Sequence, residues 1–253
     1  MKYISTFLTG TVVIGVFMAI SASGLSQESK PAQPQDSKTN QLDNLKDQNK
    51  KSDSSASVPV YIPPTRGAPG GRVGAATRGP QREVFVLAVL APDQGGLTTS
   101  EQPSLYWFIS KSTSLAVEFT VTDSQNVEPI LETRLPSPIT AGVHQIRISD
   151  FNIHLAPGAA YQWFVSIVPD AGRRSKDIMT GGIIERVEMP EALKGKIAQA
   201  AKSDLPSLYA EAGLWYETIA AISELIDAAP QDQTLRNQRT ALLAQVGITG
   251  ITE

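Results

Sequence analysis

The residues of this chain that could do acid–base or nucleophilic chemistry are few and widely spaced. Its two imidazoles, His144 and His154, have no neighbouring Gly-x-Ser-x-Gly motif, so a serine nucleophile with a histidine base is not predicted. Two carboxylates would suffice for a glycosidase, yet no spacing singles out a pair. The available acids are Glu118, Glu132, Asp150, Asp170 and Asp177. We therefore expect no enzyme activity, with a hydrolase using paired carboxylates as the more distant alternative.

Metal and cofactor chemistry also lacks the residue types that it needs. The 253 residues include no Cys, which excludes disulfides, zinc–thiolate sites and iron–sulfur clusters. No acidic run has the spacing of a calcium loop. We predict no catalytic residue, no metal site and no cofactor.

Aromatic residues are better candidates for a binding surface. Tyr106, Trp107 and Phe108 are consecutive in a short predicted strand, where neighbouring side chains point to opposite faces. If Trp107 is buried, Tyr106 and Phe108 lie either beneath a helical layer or outward, as a strip for a glycan or a partner strand. A second candidate surface for a partner consists of Trp215, Tyr216 and Glu217.

A Gly- and Pro-rich arm, residues 58–83, carries arginines with no acid between them. We interpret it as a flexible arm against a sheet edge, or as an anion contact, because Arg binds phosphate or carboxylate with two hydrogen bonds. The candidate contacts are Arg66, Arg72 and Arg78. A nucleotide loop is not predicted, since the Gly-Lys-Ser/Thr and Gly-x-Gly-x-x-Gly spacings are absent.

The N-terminus predicts export. Lys2 precedes an apolar run over 7–20 and then small residues, the pattern of a signal peptide over 1–24. An uncleaved anchor is the alternative, although the run is shorter than the roughly 20 residues of a full span. Residues 25–57 are rich in Ser, Gln, Lys and Asp, which predicts a disordered linker. We expect the protein in the periplasm, in the cell envelope or secreted.

The net charge of −3 argues against nucleic-acid binding.

Beyond the linker, residues 84–188 read as short strands separated by Gly, Pro and Asp turns. Val117, Phe119 and Val121 alternate with polar residues, as does Leu115 before them, and this period of two predicts a half-buried strand. Residues 95–103 read as a polar turn, and Gly181-Gly182 predict a bulge or bend. Seven such strands favour an antiparallel sandwich.

The segment LAPGAAYQW, residues 155–163, resembles the tyrosine corner of immunoglobulin-like and fibronectin-like sandwiches. The resemblance implies that the Tyr161 hydroxyl bonds to backbone a few residues upstream. Tyr161 is thus expected to be structural, and Trp163 is expected in the core. The predicted fold class is an immunoglobulin-like antiparallel β-sandwich followed by a C-terminal α-helical hairpin.

Residues 189–253 change to helical periodicity. Trp215, Ile219, Ile222 and Ile226 share one face of a helix that Pro230 ends, and Asp232 is placed to cap a last helix. The segment AEAGLWYETIAAISELIDAAPQD resembles the second half of a tetratricopeptide repeat. One such unit cannot bury its face alone, so it is expected to dock on the sandwich or on a partner.

Four segments together resemble the uncharacterised secreted family called domain of unknown function 928, found mostly in cyanobacteria. They are GAPGGRVGAATRG (67–79), GLTTSEQPSLYWFIS (96–110), LAPGAAYQWFVSI (155–167) and AEAGLWYETIAAISEL (210–225). The resemblance carries no activity. We expect a non-enzymatic binding or scaffold module for a protein or an envelope glycan, with a carbohydrate-binding module as the first alternative.

Overall fold

The structure is a computed structural model that describes residues 57–65, 74–76, 86–123 and 128–251, without the side chains of residues 75 and 76. The predicted signal peptide, nearly all of the linker and Arg66, Arg72 and Arg78 lie outside these ranges. Within them the chain forms two β-sheets followed by a helical region.

The first sheet has four antiparallel strands in the order β1-β2-β4-β7. Its strand β4 lies between β2 and β7, and Trp107 is paired with Val89 on one side and His144 on the other. The strands are β1 (Ala75–Ala76), β2 (Val86–Val89), β4 (Ser104–Ile109) and β7 (Gly142–Arg147).

The second sheet has five strands in the order β3-β9-β8-β5-β6. Strand β3 runs parallel to β9, and the other neighbours are antiparallel. The strands are β3 (Gly96–Thr98), β5 (Ala116–Asp123), β6 (Leu131–Arg134), β8 (Ala160–Val168) and β9 (Ile178–Arg186).

The period of two in β5 is confirmed. Val117, Phe119 and Val121 are buried, with at most 1% of each exposed, while the residues between them are half-buried. Leu115 precedes the strand and is exposed, because it lies beyond the end of the paired register.

Two local predictions in the sheets are wrong. Residues 96–98, expected within a turn, form β3, because pairing with β9 supplies hydrogen bonds that a three-residue pattern cannot reveal. Gly181 and Gly182 form no bulge, since their pairing with β8 is continuous. They make room for aromatic rings instead: a Cβ at Gly181 would overlap the ring of Phe164.

The helical region contains, among the described residues, α1 (Glu191–Gln199), α2 (Leu205–Glu211), α3 (Trp215–Ala228) and α4 (Gln233–Gln245). The predicted cap of α4 is confirmed, because the Asp232 carboxylate accepts a hydrogen bond from Thr234 N at 2.8 Å. Gly213 stands between α2 and α3 with φ of +73°, a conformation that favours glycine.

One hydrophobic cluster joins the parts. It includes Leu105 of the first sheet, Phe119 of the second, Ile219 of α3 and Leu242 of α4. Tyr61, which precedes both sheets in the chain, belongs to the same cluster. The sheets and helices therefore lie within one compact unit, residues 54–253.

Candidate interaction site

The start of α3 is held against both sheets by two aromatic side chains. Trp215 is fully buried and donates a hydrogen bond from Nε1 to the carbonyl of Leu90 at 2.8 Å. The Tyr216 hydroxyl accepts one from Trp163 Nε1 and donates one to the Ile183 carbonyl, each at 2.9 Å. Burial raises the pKa of Tyr216 well above its usual range. These two side chains bind the protein's own sheets, so they are not an outward surface for a partner.

Gly96 makes this close packing possible. A Cβ there would lie 2.8 Å from Tyr216 Cε2 and 3.1 Å from Trp215 Cβ. Any larger residue at position 96 would push α3 away from the second sheet.

Glu217 ties the same helix to the turn after β3. One carboxylate oxygen, Oε1, accepts hydrogen bonds from Thr99 N at 2.7 Å, Thr98 Oγ1 at 2.8 Å, Thr99 Oγ1 at 3.0 Å and Ser100 N at 3.2 Å. A carboxylate that accepts several backbone and hydroxyl protons holds a turn firmly. Glu217, predicted as a partner contact, therefore fixes the turn of its own chain.

Tyr106 and Phe108 do not form an exposed strip. They are 4% and 2% exposed, and α3 packs on their strand β4. Burial, with smaller effects of the nearby Glu224 and Asp227, raises the pKa of Tyr106 to about 12. The expected glycan strip is thus corrected to the alternative arrangement beneath the helices, which removes the observation that would have favoured a carbohydrate-binding module.

An extended segment lies across the helical region, and we call residues 57–65 the N-terminal strap. Gln245 of α4 holds it with both ends of its amide: Oε1 accepts from Tyr61 N and Nε2 donates to the Pro59 carbonyl, each at 2.8 Å. On α2, the Ala210 carbonyl accepts from Ile62 N at 3.1 Å. Gln238 Nε2 adds a longer bond of 3.4 Å to the Ser57 carbonyl. The strap is therefore held chiefly through its backbone.

Tyr61 is the main side-chain anchor of the strap. It is 7% exposed, and its ring meets that of Trp215 edge to face. Its hydroxyl is buried, and no described residue gives it a hydrogen-bond partner. Burial raises the pKa of Tyr61 to about 12.

A cavity of about 240 Å³ adjoins the strap. Tyr61, Pro63 and Pro64 form one wall, the 92–95 turn forms another, and Gln245 and Val246 close the end of α4. We call the surface that contacts the strap, formed by Ala210, Trp215 and Gln245, together with this cavity, the groove.

Of the carboxylates named as possible catalytic acids, Glu118 and Glu132 line one cavity with Arg134, and Glu118 shares Arg174 with Asp177 as an ion-pair partner. Glu118 receives two hydrogen bonds from Arg174, and Arg134 lies 3.8 Å away. The hydrogen bond from Arg174 is the largest influence that lowers the pKa of Glu118, whereas a general acid needs a raised one. Asp170 pairs with Arg173, and Asp177 with Arg174. Glu132 and Asp150 are exposed.

The two histidines contact neighbouring residues of the fold. His144 Nε2 lies 2.7 Å from the Thr140 carbonyl, and its ring packs beside Trp107 at a centroid distance of 4.8 Å. His154 is exposed and lies 3.5 Å from Glu101.

The hydrogen bond predicted for Tyr161 is confirmed: its hydroxyl accepts from Ala156 N at 2.9 Å.

Within the described ranges, no group of three or more His, Cys, Asp or Glu residues could hold a metal ion. In the same part of the chain, no helix combines the length and hydropathy needed to cross a bilayer. The arginines proposed as an anion contact lie outside the described residues, so that prediction stands untested.

Sequence analysis did not single out Tyr61, Gln238 or Gln245. A usable signal was present in the short apolar patch VPVYI after a polar stretch, which is typical of a segment that packs against the rest of the protein. Nothing local in α4 identifies Gln245 as its receptor.

Comparison with known proteins gives one match. A family model described as a Domain of Unknown Function (DUF928) matches residues 73–253. This range contains both sheets from β1 onward and the four helices, and it begins after the strap. Searches of the curated proteins and of the solved structures give no match.

Proposed function

Because this chain belongs to the DUF928 family, whose description names no activity, we propose its function from the geometry of the groove. The protein is a non-enzymatic binding or scaffold module that holds an extended polypeptide against its helical region. The N-terminal strap occupies that place in the structure.

The observation that carries this proposal is the pair of hydrogen bonds between Gln245 and the strap. The amide bonds one backbone N–H and one backbone carbonyl, at Tyr61 and Pro59. A side chain that bonds both backbone groups of an extended chain, beside a pocket for an aromatic ring, is a general means of peptide recognition. It recognises shape and backbone direction, which suits a scaffold better than a catalyst.

We propose a location outside the cytoplasm, in the periplasm or cell envelope or as a secreted protein. The support is the charged start, apolar run and small-residue end of residues 1–24. Residues 25–57 would then tether the binding unit at a distance from the export site.

Two finer features of the fold are part of the proposal. An immunoglobulin-like sandwich is supported by the hydrogen bond that the Tyr161 hydroxyl accepts from Ala156 N, whereas β3, which runs parallel to β9 at one edge, departs from the antiparallel arrangement that was predicted. A tetratricopeptide-like hairpin is supported by the short turn at Gly213 and by the packing of α2 on α3. Such hairpins present grooves that accept extended chains.

Site-directed photo-crosslinking in intact cells tests the binding function. A photoreactive residue at Gln94, which is exposed beside the cavity, is compared with one at Lys196, which is exposed on α1. We expect a discrete protein adduct at position 94 that is absent at position 196 and is reduced by Gln245→Ala. Identical adducts at the two positions, or none at position 94, would contradict the proposal.

A further inference from the structure

We propose that the groove is a recognition site for an extended segment of another protein, with a proline two residues before an aromatic residue, in the order Pro-x-aromatic. The strap, with Pro59 and Tyr61 in that order, is an internal occupant that the partner's segment displaces. This inference rests on the binding function proposed above and adds the chemistry of the partner.

The contacts of the strap show which features of a ligand matter. Pro59 and Tyr61 are buried, whereas Val58, Val60 and Ile62 are 41%, 63% and 54% exposed, and Pro63 is exposed as well. The groove therefore selects Pro59 and Tyr61 and makes little use of the residues beside them. Proline lowers the conformational entropy that an extended ligand loses on binding.

The limits of the family match separate receptor from occupant. Ala210, Trp215, Gln238 and Gln245, which hold the strap, all lie within residues 73–253, and the strap lies before them. The residues that hold the strap thus lie in the matched region, and the strap itself lies outside it. A segment with the same pattern in another chain meets the same contacts.

The strap is also an imperfect occupant. The Tyr61 hydroxyl is buried without a partner among the described residues, and an unpaired buried hydroxyl weakens binding. Phenylalanine would keep the ring contact with Trp215 and remove this group. We therefore infer that a partner segment with Phe at the aromatic position binds more tightly than the strap sequence.

Fluorescence anisotropy with a labelled peptide of residues 57–65 tests whether the groove of the full chain binds such a segment and whether the strap competes with it. In the Tyr61→Ala protein, whose own strap is weakened, we expect saturable binding. Wild type should bind the same peptide at least ten-fold more weakly, because its tethered strap competes at an effective concentration of roughly millimolar order. A peptide with Phe should bind several-fold more tightly than the strap sequence, and one with Ala at least ten-fold more weakly.

Matched variants of α4 locate the binding. Adding Gln245→Ala to the Tyr61→Ala protein should lower peptide affinity at least ten-fold, whereas Gln233→Ala, an exposed glutamine on the same helix, should leave it unchanged. Equal effects of the two changes, or no peptide binding by a Tyr61→Ala protein with native circular dichroism, would overturn the inference.

A second variant of the full chain provides the test if Tyr61→Ala does not fold. A protease site inserted between Gly70 and Gly71 leaves every strap contact in place, and after cleavage the N-terminal fragment should stay bound until excess Phe peptide releases it. Loss of the fragment on cleavage at micromolar concentration, or retention against excess peptide, would refute displacement. A dimer by light scattering that exchanges straps would identify a second copy as the occupant instead.

The two proposals can fail separately. An adduct at position 94 that the Phe peptide does not reduce would leave the binding function standing and remove only the motif inferred here.

Discussion

Tyr61 meets Trp215 edge to face, with ring centroids 4.8 Å apart and ring planes at 75°. The same indole donates its Nε1 hydrogen to the carbonyl of Leu90, directly after β2. One side chain therefore joins the strap, α3 and the first sheet. Changes in this small region are expected to affect all three parts together.

Replacing Glu217 should loosen α3 from the turn after β3. Glu217→Ala removes an acceptor that satisfies two backbone and two hydroxyl donors, so we expect a loss of about 2–4 kcal/mol in the free energy of unfolding. Glu217→Gln keeps one acceptor oxygen and should lose about half as much. Urea unfolding measures both. Glu224→Ala, an exposed acid on the same helix, should change stability by less than about 0.5 kcal/mol, and a similar loss at both positions would refute the role of Glu217.

Two glycine substitutions should have opposite signs. Gly96→Ala places a methyl group 2.8 Å from Tyr216 Cε2, and we expect it to destabilise the protein by about 1–3 kcal/mol. Gly195→Ala lies within α1 with no atom within 4 Å of the new methyl, and it should stabilise by about 0.5–1 kcal/mol. Thermal unfolding of the two variants beside wild type checks the prediction, which a stabilising Gly96→Ala would contradict.

Buried tyrosines should make the fold sensitive to alkali. Burial raises the pKa of Tyr61 and of Tyr106 to about 12, above the value near 10 of an unfolded chain. The unfolded state releases these protons first, so stability is complete below about pH 10 and falls as the pH rises toward 12. Urea unfolding across this range, with phenolate absorbance, should show the decline, and it should be shallower in Tyr61→Phe. Constant stability over the same range would contradict it.

The ion pair at Glu118 should shape the response to acid. The hydrogen bond from Arg174 lowers the pKa of Glu118, so its stabilising effect is present above the carboxyl's ordinary pKa and is lost as the pH falls through the lowered value. Arg174→Ala should raise the pKa of Glu118 in an NMR titration. Arg173→Ala, whose partner is Asp170, should not, and equal shifts in both variants would rule out the specific pair.

Much of the architecture follows from local pattern. The alternation of Val117, Phe119 and Val121 predicts β5, and the four-residue recurrence from Trp215 to Ile226 predicts α3. The polar stretch before the strap and the acid before α4 are equally local signals. The strand β3 forms because it pairs with β9, a segment far away in the sequence. Its own three residues are too few to show a strand pattern.

The candidate site shows more clearly how little the sequence says about which side chains are exposed. Tyr106, Phe108, Trp215 and Tyr216 are large aromatic residues, and their type alone fits a buried contact as well as an exposed one. The placement of α3 over β4 decides between these, and it depends on Gly96, which lies far from α3 in the chain.

The sequence by itself predicts seven of the nine described strands, the helices that follow them, the turn at Gly213, the cap at Asp232 and the absence of cysteine chemistry. Each of these depends on residue type or on neighbours along the chain. Only the tertiary structure decided what the aromatic residues, Glu217 and Gln245 touch. Glu217 and Thr99 are 118 residues apart, and Gln245 and Tyr61 are 184 apart. Such contacts form when packing of the whole core brings distant surfaces together, and no local periodicity encodes them.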